Sequence, residues 1–154
     1  MTIRPSTRRL RFAAALFATA LALGACKVRL IDSYNRESEE GLLRTYGKIE
    51  SLFDAMTDAT EPGARVYSRF ADRYAEIHEL IRVQVLREDM RPLNAESRGI
   101  VAQIDTVFTR YRADHRKDNG FNPALTDRHR DVMRRLFTAA VKAERAKADS
   151  DDRY

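Results

Sequence analysis

"YSRFADRYAEIHELIRVQV", residues 67–85, carries its large apolar side chains at Tyr67, Phe70, Tyr74, Ile77, Ile81 and Val85. Steps of three and four bring those side chains back to one face of a 3.6-residue helix. A strand would need alternation with a period of two, and the stretch has none. It therefore reads as an amphipathic helix, and a helix with one apolar face needs partners to cover it.

Three further stretches supply them. Leu42, Tyr46, Ile49, Phe53 and Met56 form a stripe before it, extended weakly by Ile31 and Tyr34. After it come Leu93, Ile100, Ile104, Val107 and Tyr111, broadened by Val101 and Phe108. The last has Leu125, Val132, Leu136 and Ala140, broadened by Met133 and Phe137. Gly and Pro clusters punctuate the chain at Glu61-Pro62-Gly63, Arg91-Pro92 and Asn119-Gly120-Phe121-Asn122-Pro123. Asn94 is a candidate N-cap for the third helix, and Asn122 before Pro123 is one for the fourth. Short connections put successive helices antiparallel, so the expected architecture is all-α, an up-down-up-down four-helix bundle over residues 35–148. A helical hairpin repeated in a dimer would bury the same stripes. Residues 149–154 are expected to fray.

The other informative segment is the N-terminus. Arg4, Arg8, Arg9 and Arg11 precede an uncharged run, Phe12 to Leu23, which is too short to cross a bilayer. A basic start, an apolar core and small residues at the end describe an export signal. It closes on Leu23-Gly24-Ala25-Cys26, and Cys26 is the single cysteine of the chain. This quartet resembles the lipobox of bacterial lipoproteins. The resemblance implies a signal peptide over residues 1–25, a thioether-linked diacylglyceryl group and an N-acyl chain on Cys26, and a lipidated tether over 26–34. Anchoring by more than one acyl chain is stable where one chain is marginal. Lys27, in place of the aspartate that retains many such proteins at the inner membrane, points to the outer membrane facing the periplasm. No cysteine remains for a disulfide.

Composition narrows the partners. The chain has 28 basic and 23 acidic residues, a formal net charge of +5. Four of the basic ones lie before Cys26, which leaves 24 against 23, close to neutral. Charges of both signs mix along every segment, so the basic stripe that nucleic-acid binding uses is missing.

Chemistry-bearing motifs are few. His78-Glu79 lacks the second histidine of a zinc-protease HExxH helix and reads as a half-exposed helix residue. His115 and His129 would approach each other if the third and fourth helices are antiparallel, with Asp114, Asp127 or Asp131 available to complete a metal site. The plainer reading is two polar residues at a bundle end. Glu37, Glu39 and Glu40 suit the positive end of the first helix. Arg65, Arg69 and Arg73 at four-residue spacing, and Arg128, Arg130, Arg134 and Arg135, would meet anionic groups or form a salt-bridged face. Phe121 either staples the fourth helix or anchors a partner. No catalytic residue and no cofactor is called for.

"KVRLIDSYNRESEEGL", directly after Cys26, resembles the start of the mature chain in a family of small bacterial lipoproteins of unknown function. The positions that match are Lys27, Leu30, Ile31 and Tyr34. The resemblance implies an all-helical lipoprotein domain and adds no catalytic residue. The expected function is a lipid-anchored, non-enzymatic interaction or accessory role in the envelope, with an envelope protein or the cell wall as partner. The alternative is a small-ligand or metal-binding protein using the bundle interior or one end.

Overall fold

The computed structural model describes residues 31–61, 63–120 and 122–151. Cys26 with its lipobox, Pro62 and Phe121 lie outside them. The described chain forms helices α1 (Arg36–Asp58), α2 (Ala71–Asp89), α3 (Ala95–Asp118) and α4 (Pro123–Asp151), with a 3₁₀ turn at Tyr67–Arg69 before α2. No strand occurs among the described residues. Helices α1 and α3 each pack against both α2 and α4, so the four close into a ring around one core. The start of α1, the end of α2, the start of α3 and the end of α4 share one end of the bundle, joined through Arg91 and Lys147. This is the up-down-up-down four-helix bundle.

The helix starts follow from local chemistry. The Asn35 side chain accepts a hydrogen bond from Ser38 N at 2.9 Å, satisfying one of the free donors of the first turn of α1. Asn122 Oδ1 accepts from Ala124 N at 3.0 Å, with Pro123 at the first helical position. The last carbonyls of α1 are met by Arg65, whose Nε donates to Ala59 O at 2.8 Å and whose Nη2 donates to Thr57 O at 3.2 Å. A cation there also suits the negative end of the helix. Arg65 thus precedes α2 and shares no helix face with Arg69 and Arg73, contrary to the expected row of three.

The core follows the expected stripes in α1 and α2. Ile49, Leu52, Phe53, Met56, Tyr74, Ile77 and Ile81 are all buried, as are Ile104, Phe108 and Met133 from the other two helices. Each such side chain stabilises the fold by roughly 1.5–3 kcal/mol relative to exposure.

Two stripes needed correction. Leu93 lies before α3 and is exposed. In α4 the buried face runs through Thr126, His129, Met133, Phe137, Ala140, Glu144 and Lys147, leaving Leu125 exposed and Val132 and Leu136 at the core's edge. The C-terminal boundary also moves. Helix α4 continues through residues 149–151, because Lys147 is tied into the bundle and Ser150 Oγ donates back to Lys147 O at 2.7 Å.

Candidate functional site

The most unusual feature of the interior is charged. At the end of the bundle where α1 begins, Arg91 projects from the α2–α3 turn into a pocket of carboxylates. Its Nε donates to Asp32 at 2.6 Å, Nη1 to Glu88 at 3.0 Å, and the two Nη groups to the two oxygens of Glu144 at 3.1 and 3.0 Å. Nη2 also donates to Ser33 O at 2.6 Å and Nη1 to Ser38 Oγ at 3.1 Å. Lys147 Nζ completes the cluster, donating to Glu144 and to Asn94 Oδ1, both at 2.6 Å. Glu88 is 1% exposed, Glu144 2% and Arg91 11%.

Burial works against the charge on Arg91, but hydrogen bonds and attraction from Glu144, Asp32 and Glu88 outweigh it and hold the guanidinium above its ordinary value. Every carboxylate oxygen of Glu88 and Glu144 is taken. Glu88 accepts from Gln84, Asn94 and Arg91; Glu144 accepts from the Asn35 amide, Arg91 and Lys147. Such an arrangement fastens; it offers no free acid or base for proton transfer. Asn94, expected as a cap for α3, spends its side chain in this cluster and makes no side-chain cap bond.

What the cluster fastens is the segment that leads into α1. Ser33 O, the Asp32 carboxylate and the Asn35 amide are all held, and Asp32 N donates to Leu93 O at 3.3 Å. Beside it, Tyr34 OH donates to Glu39 at 2.9 Å and Arg145 Nε donates to the same carboxylate at 2.7 Å. Arg145 draws the Glu39 carboxyl below its ordinary range. Residues 32–34, assigned to a tether from sequence, are therefore part of the folded unit.

The opposite end holds the two histidines. His115 Nε2 donates to Arg65 O at 2.8 Å, and Nδ1 lies 3.2 Å from Tyr74 OH, which donates to it when the ring is neutral. Tyr67 and Phe70 pack around it. The His129 ring stacks on Tyr111 with centroids 3.4 Å apart and planes at 12°. Burial lowers the affinity of both histidines for a proton, that of His129 to a pKa of about 4. Both His115 nitrogens are engaged in hydrogen bonds, which leaves that ring no lone pair for a metal. No group of three or more His, Cys, Asp or Glu among the described residues is placed to hold a metal ion. His78 is partly exposed against Asp105. On α4, Arg130 pairs with Glu50 and Asp54, and Arg134 with Asp131, the salt-bridged face.

Among the described residues, the core is closely packed at its centre. The gap among Leu42, Ile81, Gln84, Ile104 and Phe137 has no room for a water molecule. Open grooves on the surface include one of about 420 Å³ beside Thr60, Arg65 and Asn119, and one of about 560 Å³ along α2 at His78, Arg82 and Leu86. No family model, curated protein or solved structure matches this chain. No described helix is long and apolar enough to cross a membrane.

Periodicity had no means of finding the charge cluster. Glu88, Glu144 and Lys147 stand on the buried faces of α2 and α4 at core spacing, but they are charged, and Arg91 lies 53 residues from Glu144. The one available signal was charge recurring in phase with the apolar stripe, at Glu88 after Ile81 and at Glu144 and Lys147 after Ala140.

Proposed function

We propose that this protein is a lipid-anchored component of a bacterial cell envelope, held by acyl chains on Cys26 at the outer membrane and facing the periplasm. Its helical bundle serves there as a non-enzymatic interaction or accessory module. The observation that carries the reading is the uncharged run Phe12–Leu23 ending on Leu23-Gly24-Ala25-Cys26. The resemblance of residues 27–42 to the start of small bacterial lipoproteins agrees with it.

Two features of the fold support the non-enzymatic part. The buried acids Glu88 and Glu144 are fully paired, and the gap among Leu42, Ile81, Ile104 and Phe137 in the described core is too small even for water. The clamp on residues 32–35 also has a mechanical use in an anchored protein, because it transmits any pull on the anchor to three helices at once.

Metabolic labelling with palmitate tests the reading. The native chain should take up label, and Cys26→Ser should take up none and stay uncleaved or unanchored. Equal labelling of the two would remove the basis of the proposal.

A further inference from the structure

Of the seven large apolar side chains exposed among the described residues, Leu43 and Leu125 stand on α1 and α4, and the other five fall on the second half of α2, the turn after it and the residue entering the bundle. Among the described residues, Val83, Leu86 and Met90 are exposed along one side of α2, opposite the buried Ile77 and Ile81. At the helix end they run into Leu93 and Ile31, also exposed, and the hydrogen bond from Asp32 N to Leu93 O brings those two together. The strip ends at the corner of the bundle where the chain arrives from Cys26.

Leu93 is the informative residue. Its φ of 54° is in the left-handed region, which a leucine rarely adopts and a glycine adopts freely. The strain is held in place by the clamp on both sides, Arg91 and Asp32. The fold thus tolerates a strained backbone to display a 58% exposed leucine, with 75% exposed Met90 beside it. Glycine would relieve the strain and remove the exposed apolar surface together, so packing of the bundle does not explain the choice. Strain that the fold itself does not need points outward to a function.

We infer that this corner, Met90 and Leu93 with Ile31 and the α2 strip Val83–Leu86 behind it, docks on the surface of the membrane that carries the anchor. The inference rests on the proposed lipidation of Cys26. Only residues 27–30 separate Cys26 from Ile31, and a fully extended chain of that length spans at most about 18 Å. Residues 32–35 are clamped and supply no slack. The corner is therefore always within reach of the headgroups. At so high an effective concentration a modest apolar contact is enough to hold it there. Apolar side chains inserted at the headgroup boundary, with the charged body outside, are the usual mode of interfacial binding. The position of the strip would tilt the bundle so that α2 faces the bilayer.

The test uses the mature lipid-bearing protein reconstituted in vesicles of phosphatidylethanolamine and phosphatidylglycerol. Because the Cys26 thiol is consumed by the thioether, an introduced cysteine takes a fluorophore selectively. Met90→Cys, Leu93→Cys, Val83→Cys and, at the opposite end, Glu61→Cys are labelled, and quenching by doxyl-bearing lipids is read. Met90 and Leu93 positions should lose at least half their emission, Val83 less, and Glu61 almost none. Quenching as weak at Met90 and Leu93 as at Glu61, or equal at all four, overturns docking. Leu93→Gly in the Met90→Cys background should keep or raise the melting temperature while relieving the quenching. A lower melting temperature with undiminished quenching would make Leu93 a structural residue and refute its role. The mass of the Cys26 peptide separates the two proposals: lipid present with unquenched labels defeats docking alone, and lipid absent defeats the anchoring on which docking depends.

Discussion

Arg91, in the α2–α3 turn, grips both carboxylate oxygens of Glu144 on α4 with hydrogen bonds of 3.0 and 3.1 Å. Both charges are almost fully out of water, and the same guanidinium holds Asp32, Glu88 and Ser33 O. Removing it leaves Asp32 and Glu88 without their counter-charge and Glu144 with Lys147 alone. Arg91→Ala should destabilise the protein by about 3–5 kcal/mol in urea unfolding, the range for breaking one partner of a buried ion pair. Arg91→Lys keeps the charge but loses the fork and should fall in between. A loss under about 1 kcal/mol for Arg91→Ala would mean the cluster is solvated and not a fastener.

The histidines set a pH dependence at the other end. Unfolded His129 takes up a proton near pH 6.5, whereas the buried ring resists until about pH 4. Between those values the unfolded state binds more protons, so stability is complete above about pH 6.5 and falls as the pH drops toward 4. At ~1.4 kcal/mol per unit, the loss approaches roughly 3 kcal/mol. His115, also shifted down by burial, adds in the same direction. Glu39, whose carboxyl is lowered by Arg145, contributes a further loss at more acidic pH, as it is finally protonated. Urea midpoints from pH 7.5 to 4 should show the slope, and His129→Gln should flatten it. An unchanged slope in that variant would show that His129 is not its source.

Two glycines in α1 are expected to behave oppositely. A Cβ at Gly47 meets nothing within 4 Å, so Gly47→Ala should stabilise the protein by about 0.5–1 kcal/mol through helix propensity alone. A Cβ at Gly41 comes within 2.6 Å of Gln84 Oε1 and 2.9 Å of Arg87 Nη1. Gln84 is buried and bonded to Glu88, and Arg87 bonds to Glu37 O, so neither moves freely. Gly41→Ala should forfeit the propensity gain and lower the melting temperature. If both variants stabilise equally, α1 and α2 are farther apart than the structure has them.

These residues also explain which parts of the fold could be read from sequence. The α2 stripe was legible because Phe70, Tyr74, Ile77 and Ile81 are apolar, in phase and buried. The α4 stripe was displaced because its buried face carries Thr126, His129, Glu144 and Lys147, which a hydrophobic period treats as surface. Those groups are tolerated inside because their partners come from distant segments: Asn94 for Lys147, Arg91 for Glu144 and Tyr111 for His129. Local spacing carries no information about such pairings. The capping asparagines divide in the same way. Asn35 and Asn122 cap the next turn of their own helices, whereas Asn94 is diverted by the long-range cluster. The histidine candidates were placed at the correct end of the bundle by topology, but their hydrogen-bond partners, Tyr74 and the Arg65 carbonyl, depend on a loop conformation that periodicity does not address.

In the proposed reading the mature protein begins at Cys26 and is held by lipid on that residue. Mass spectrometry of the N-terminal peptide of the protein extracted from its native membrane tests it most directly. The expected spectrum has residues 1–25 absent and Cys26 as the first residue, heavier by a diacylglyceryl group and one further acyl chain. An unmodified Cys26, whether internal to an uncleaved chain or exposed by ordinary signal cleavage, would contradict it.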